Sequence, residues 1–242
     1  MATQMKTRDF ECSDAEWQAR QDLAACYRIF DHLGWGESIY NHISVAVPGE
    51  ENVFLINPFG LLYDEVTASN LVKIDVEGNN VGPSQYMVNK AGFTQHAYFH
   101  EKLGARANAI CHVHTTATMA VCSHKDGLLP TNFYACNFVG NIGYHDFEGV
   151  TVRAEEGDRL VEKLGDKTIL KLRNHGPVVM GKTIQEMFVQ MWALQRACEI
   201  QVATLSQGDA VVVQRDVLDV HQRDLSQMTS QGGAGVFDFE AW

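Results

Sequence analysis

Alternating helical and extended segments predict an α/β domain, and three observations carry that expectation. A capped amphipathic segment follows Ser13, a second capped helix of about six turns follows Thr183, and short runs rich in β-branched residues lie between them. The 242 residues are 45% apolar, with 20 Gly and 5 Pro, which suits one globular domain over 1–242 and argues against disorder or a collagen-like repeat. The formal charge of −11 argues against broad binding to nucleic acid or to an anionic membrane, while leaving room for a local pocket that takes one small anion. The first residues lack the apolar centre of a secretory signal and no run approaches 18 apolar residues, so a cytoplasmic location is expected. Six cysteines without a C-x-x-C spacing read as buried free thiols.

Taken in order, Ser13-x-x-Glu16 is a capping box, and Trp17, Ala24, Tyr27, Phe30 and Leu33 carry a helix over 14–33 that stops at Gly34. Strands are expected at 43–47 and 53–56, joined through Pro48-Gly49 as a hairpin and ended by the turn Asn57-Pro58-Phe59-Gly60. A short helix at 67–72, a strand and turn at 75–81 and an amphipathic helix at 94–103 follow. Two further strands, 109–114 and 168–172, are separated by a helix at 116–123 and a charged helix at 155–164. Thr183-x-x-Glu186 then opens the long helix, whose apolar stripe runs from Ile184 to Leu205. From 207 the pattern decays into a partly flexible tail, Gly-rich over 230–235, in which Phe237, Phe239 and Trp242 can dock on a neighbouring surface.

The chemistry concentrates in Ala109-Ile110-Cys111-His112-Val113-His114-Thr115. Strand period puts His112 and His114 on one face, about 6.6 Å apart, a span two imidazoles can close around one ion at Zn–N of about 2.0–2.1 Å. Taken alone, without a third ligand, that spacing reads rather as two partly buried histidines bonded to backbone carbonyls. A third ligand is offered by His175 in Asn174-His175-Gly176-Pro177, at a strand end turned by Gly-Pro, where a histidine capping local backbone is the ordinary alternative. Three neutral imidazoles would leave a fourth position vacant, as in catalytic zinc sites.

The motifs Asn41-His42-Ile43-Ser44, Ile56-Asn57-Pro58-Phe59-Gly60, His112-Val113-His114 and Asn174-His175-Gly176, in that order over most of the chain, resemble the class II aldolase/adducin superfamily. The resemblance implies a three-layer α/β/α sandwich around a central, largely antiparallel mixed sheet. It also implies a homotetramer with active sites between subunits, and a divalent metal, zinc first with Mn, Co or Fe as alternatives, on His112, His114 and His175. It further assigns Tyr134 as a proton donor to the adjacent subunit's site, and Asn41, Ser44, Asn57 and Gly60 to an anionic small-molecule substrate. Sugar-phosphate aldolases of this family carry a Ser-Ser-Glu where this sequence has Ala91-Gly92-Phe93, so their acid/base glutamate is missing and Asn89, Lys90, His96 and His100 are the nearby polar groups. Tyr40-Asn41 and Pro58-Phe59-Gly60 also depart from the phosphate-binding turns, which favours a carboxylate over a phosphate.

Three functions follow from the resemblance. The first is a metal-dependent lyase, by retro-aldol cleavage or decarboxylation of a small oxo- or hydroxy-acid or sugar acid through a metal-chelated enolate. Decarboxylation needs no base to deprotonate a hydroxyl, which would reconcile the histidines with the missing glutamate. The second is a non-haem Fe(II) oxygenase on the same scaffold. The third is a non-catalytic binding module like adducin, weakened by the acidic balance and the short Gly-rich end.

Overall fold

The computed structural model describes residues 8, 10–150, 154–229, 233 and 235–242. A mixed seven-stranded sheet of order β3-β2-β1-β4-β7-β6-β5 forms the middle layer. Its strands are β1 (His42–Ala46), β2 (Val53–Ile56), β3 (Val72–Asp75), β4 (Ala109–His112), β5 (Ile142–His145), β6 (Ile169–Leu172) and β7 (Pro177–Gly181). Every neighbouring pair is antiparallel except β5 with β6. Strands β4, β6 and β7 are buried throughout, the edge strands β3 and β5 bury alternate residues, and strand alternation sorts the apolar side chains onto the two faces of the sheet. Cys111, Val45 and Val179 face one layer with Tyr27, Phe30, Met187 and Phe188, from helices α1 (Asp14–His32) and α6 (Ile184–Leu205). Ile110, Leu170 and Val178 face the other with Phe99, Leu160 and Leu164, from α2 (Lys90–Leu103) and α5 (Ala154–Leu164). That is the expected α/β/α sandwich.

The two long helices begin at their predicted caps. Ser13 and Thr183 accept hydrogen bonds from the amides of Glu16 and Glu186. Glu16, however, does not return its carboxylate to the cap. It is buried, and receives Arg20 at 2.8 Å and Lys73 at 2.8 Å, while Arg20 also donates to the carbonyls of Ala68 and Leu71. These charges tie α1 to the entry of β3.

Several expectations shift. The stretch 67–72 is a turn closed by reciprocal bonds between Thr67 and Asn70, because Val72 and Ile74 are drawn into pairing with Ile56 and Phe54 of β2; the strand expected at 75–81 therefore ends by Asp75. The strand expected to reach 114 ends at His112. Strands β5 and β7 and the short helix α4 (Phe133–Cys136) lacked a readable pattern, being four or five residues long. Helix α3 (Thr116–Ser123) lies where expected. The presumed tail instead carries α7 (Arg215–Thr229) and α8 (Val236–Ala241), and Phe239 packs edge-on against Phe188 with centroids 5.6 Å apart. Most of the Gly-rich 230–235 stretch lies outside the described residues. No described helix is long and apolar enough to cross a membrane.

Removing one partner of the buried pair should expose its cost. Glu16→Ala leaves Arg20 charged and fully buried, and should lower the free energy of unfolding by about 3–5 kcal/mol in urea titrations. A loss below about 1 kcal/mol would mean the pair does not clamp α1.

Candidate metal centre

Antiparallel pairing gathers the histidines at one end of the sheet. The C-terminal end of β4 holds His112, the N-terminal end of β1 sets His42 directly opposite it, and the turn between β6 and β7 presents His175. His114 lies just past β4 and keeps the face set by strand alternation. Its Nε2 is 2.8 Å from Nε2 of His112, which is 3.3 Å from Nε2 of His175. These three nitrogens form a candidate metal-ligating group.

The local backbone explains why Asn-His-Gly-Pro is needed at the turn. Asn174 has φ of 56°, a left-handed conformation that Asn tolerates better than most residues. Gly176 lies so close to the strand that a Cβ there would meet the Val113 carbonyl at 2.6 Å and the rings of His114 and His112 at 3.1 and 3.2 Å. Only glycine lets the His175 turn close on the pair.

Protonation states follow from the contacts. Nδ1 of His112 is 2.9 Å from the Pro177 carbonyl, which only accepts, so this nitrogen carries the proton and Nε2 presents a lone pair. Desolvation, helped by the neighbouring imidazoles, holds His112 well below the usual histidine range and His175 down to about 4; burial lowers His114 as well. The triad is therefore neutral at pH 7, the form that binds metals. A tetrahedral ion with bonds of about 2.0–2.1 Å needs its nitrogens about 3.3 Å apart, so the 3.3 Å separation fits as it stands and the 2.8 Å one needs a small opening. Nδ1 of His114 faces Glu37 Oε2 at 3.5 Å, an orienting carboxylate that no sequence pattern marked.

Behind the triad runs a buried polar chain. Nδ1 of His42 meets Nε2 of His96 at 2.9 Å, and the Ser44 hydroxyl sits 2.7 Å from both His96 Nδ1 and His100 Nε2. Burial pushes His42 and His100 down to about 3 and His96 well below its usual value, His42 and His96 being lowered further by neighbouring imidazoles. A Cβ on residue 92 would come within 2.2 Å of the His42 ring, so Gly92 in the Ala91-Gly92-Phe93 step makes room for that imidazole.

A cavity of about 420 Å³ opens on the triad, lined by Tyr40, His42, Asn89, Gln95, Phe147 and Asn174 among others. Gln95 is buried and its Nε2 has no hydrogen-bond partner. No Lys or Arg lines the cavity among the described residues, and Arg173 turns away to the carbonyls of His124 and Lys125. The residues expected to bind substrate do not join it. Ser44 is fully buried between its two histidines, and Asn41 is buried with Nδ2 on the Trp35 carbonyl. Asn57 accepts from the Tyr27 hydroxyl at 2.9 Å, and Gly60 sits in an exposed turn. Ser44 and Asn57 are engaged by buried neighbours, while Asn41 Oδ1 is buried without a hydrogen-bond partner. Tyr134 is half-buried on α4, edge-on to Trp192 at 5.7 Å, and does not line this cavity. Lys90 is exposed at the start of α2.

Residues 21–202 match the sequence profile of the Class II Aldolase and Adducin N-terminal domain. The chain belongs to the class II aldolase and adducin family. Among family relatives, a protein of Caulobacter vibrioides provisionally named aldolase class 2 is 46% identical over 81% of this chain and 76% of its own length. Alpha-adducin of Rattus norvegicus is 46% identical over 77% of this chain but only 26% of its own length. A crystal structure of an aldolase II superfamily protein from Pseudomonas syringae superposes with a TM-score of 0.90 at 38% identity, covering 96% of this chain and 92% of that one. The L-fuculose 1-phosphate aldolase of Glaciozyma antarctica superposes at 0.80 with 26% identity, covering 98% and 91%.

This class II aldolase and adducin family member should lose stability on acidification through its buried chain. A histidine whose folded pKa is depressed contributes fully above about pH 6.5 and loses that contribution as pH falls toward the folded value, about 3 for His100. The metal-free protein should therefore lose about 1.4 kcal/mol per pH unit per such histidine between pH 6 and 4. Denaturant titrations of His100→Gln should show a slope smaller by that amount, and an unchanged slope would contradict the assignment.

Proposed function

We propose that this chain is a divalent-metal-dependent lyase acting on a small oxo- or hydroxy-acid or sugar acid, with decarboxylation favoured over retro-aldol cleavage. The observation carrying this reading is the convergence of three buried or half-buried imidazole nitrogens, all within 4.8 Å of one another, at the mouth of a cavity. His112, His114 and His175 would hold the ion, zinc first among Zn, Mn, Co and Fe. When bound, such an ion supplies positive charge that stabilises the enolate left by carbon–carbon cleavage, worth several kcal/mol because that charge develops only along the reaction path.

The protein's own groups bind and orient. The Pro177 carbonyl holds the ring of His112 in place, and the Glu37 carboxylate lies 3.5 Å from Nδ1 of His114, where it favours the tautomer with Nε2 free. Gln95 Nε2 is a desolvated donor awaiting an acceptor, and a substrate carboxylate or carbonyl oxygen satisfies it. Phe147 and Tyr40 bring apolar surface to the same cavity and limit water around the reacting carbons. With no cationic side chain lining it among the described residues, this cavity suits a carboxylate on the ion better than a phosphate. Loss of carbon dioxide asks no carboxylate to deprotonate a hydroxyl, which accords with Ala91-Gly92-Phe93. The reading extends to a cytoplasmic homotetramer in which Tyr134 serves as proton donor to the adjacent subunit's site.

Protein loaded with Zn, Mn, Co or Fe should turn over at least one member of a panel of β-keto acids, aromatic vicinal acids and ketose phosphates; failure on every combination sinks the lyase. His112→Ala should lose the triad's ion while its circular dichroism stays unchanged, since a preformed sheet carries the site. Glu37→Gln should weaken metal affinity or activity about 10-fold or more, through its hold on His114. Gln95→Leu should lower kcat/KM about 10-fold with metal content intact, the worth of one buried hydrogen bond of about 1.4 kcal/mol.

A second reading, an adducin-like binding module, rests on the 46% identity to alpha-adducin. Elemental analysis separates the two, because a scaffold has no need of an ion on His112, His114 and His175.

A further inference from the structure

Outside the histidine triad, His145, Glu148 and Glu156 bring an imidazole nitrogen and two carboxylates within 4.8 Å of one another. His145 ends β5, Glu148 follows in the loop and Glu156 lies in the first turn of α5. Nε2 of His145 is 3.2 Å from Glu156 Oε1 and 3.5 Å from Glu148 Oε1. The 3.2 Å contact is within hydrogen-bond reach, whereas the 3.5 Å contact is long for a charge-assisted pair, which closes to about 2.7–2.9 Å. The 3.5 Å separation also matches, and the 3.2 Å one lies just under, the edge of a coordination tetrahedron, because bonds of about 2.0–2.2 Å set neighbouring ligand atoms about 3.3–3.6 Å apart.

Glu156 supplies an independent sign. Its side chain is 3% exposed, and Oε2 of the carboxylate that faces His145 has no hydrogen-bond partner. A buried carboxylate with an unmatched oxygen is costly unless a cation neutralises it. Arg159 acts on Glu156 through its charge but hydrogen-bonds Glu148 instead, Nε and Nη2 lying 2.8 and 2.5 Å from its oxygens and fixing that carboxylate as outer partners fix ligating groups. Glu148 is 30% exposed, which gives an ion a path in from solvent.

We propose that His145, Glu148 and Glu156 form a second divalent-cation site, for zinc or manganese, distinct from the histidine triad. Imidazole favours zinc and the two carboxylates accommodate manganese. The ion joins the end of β5 to the start of α5 and so steadies the described residues 146–150 that follow β5. Phe147, Gly149 and Val150 of that loop line the cavity, and the Phe147 ring lies 6.3 Å from that of His175. The second ion thus shapes one cavity wall without touching the triad.

Equilibrium dialysis of the whole chain against Zn(II), read by elemental analysis, tests this without reference to activity. Wild type should hold two ions per chain, His112→Ala one, Glu156→Gln one, and the double variant none. One ion in His112→Ala that vanishes when Glu156→Gln is added supports the site, even should the triad prove empty. Wild-type stoichiometry in Glu156→Gln, or no ion in His112→Ala, overturns it. If Glu156→Gln does not fold, His145→Gln gives the same readout. In the His112→Ala background, Zn(II) should also raise the melting temperature, and His145→Gln should abolish that shift.

Discussion

Desolvation of imidazoles at one end of a sheet is the constraint on which the site depends. Antiparallel pairing of β1, β4 and β7 places His42 opposite His112 and folds the β6–β7 turn over both. Water is excluded there, so the rings stay neutral, and the Pro177 carbonyl then decides which nitrogen of His112 offers a lone pair. The same burial that costs stability on acidification makes the triad a ligand set at neutral pH.

The histidines behind the triad are a second consequence of that burial. Polar groups removed from water need partners, and His42, His96, Ser44 and His100 find them in one another. Ser44, which resemblance places at a substrate, is thereby committed to the interior. Gly92 allows the arrangement by leaving room for the His42 ring.

Much of the architecture was legible because its signals are local. Ser13 and Thr183 mark helix starts through their own side chains, and the stripe from Ile184 to Leu205 declares a buried face. Strand alternation alone put His112 and His114 on one face, and this survives although β4 stops at His112. Where signals are non-local, expectation failed. The 67–72 stretch became a turn and strand because β2 offered a pairing edge, and α7 arose where the stripe looked too weak to read as a helix.

By itself the sequence determined the α/β class, the two long helices, and a candidate set of three histidines whose membership rested on motif order. Tertiary structure alone decided that the three Nε2 atoms meet, that Glu37 and Gln95 lie beside them, and that Ser44 and Asn57 are bonded to buried neighbours away from the cavity. The reason is physical. Caps and periodicity act over a few residues, whereas ligand geometry and desolvation depend on which distant strands become neighbours.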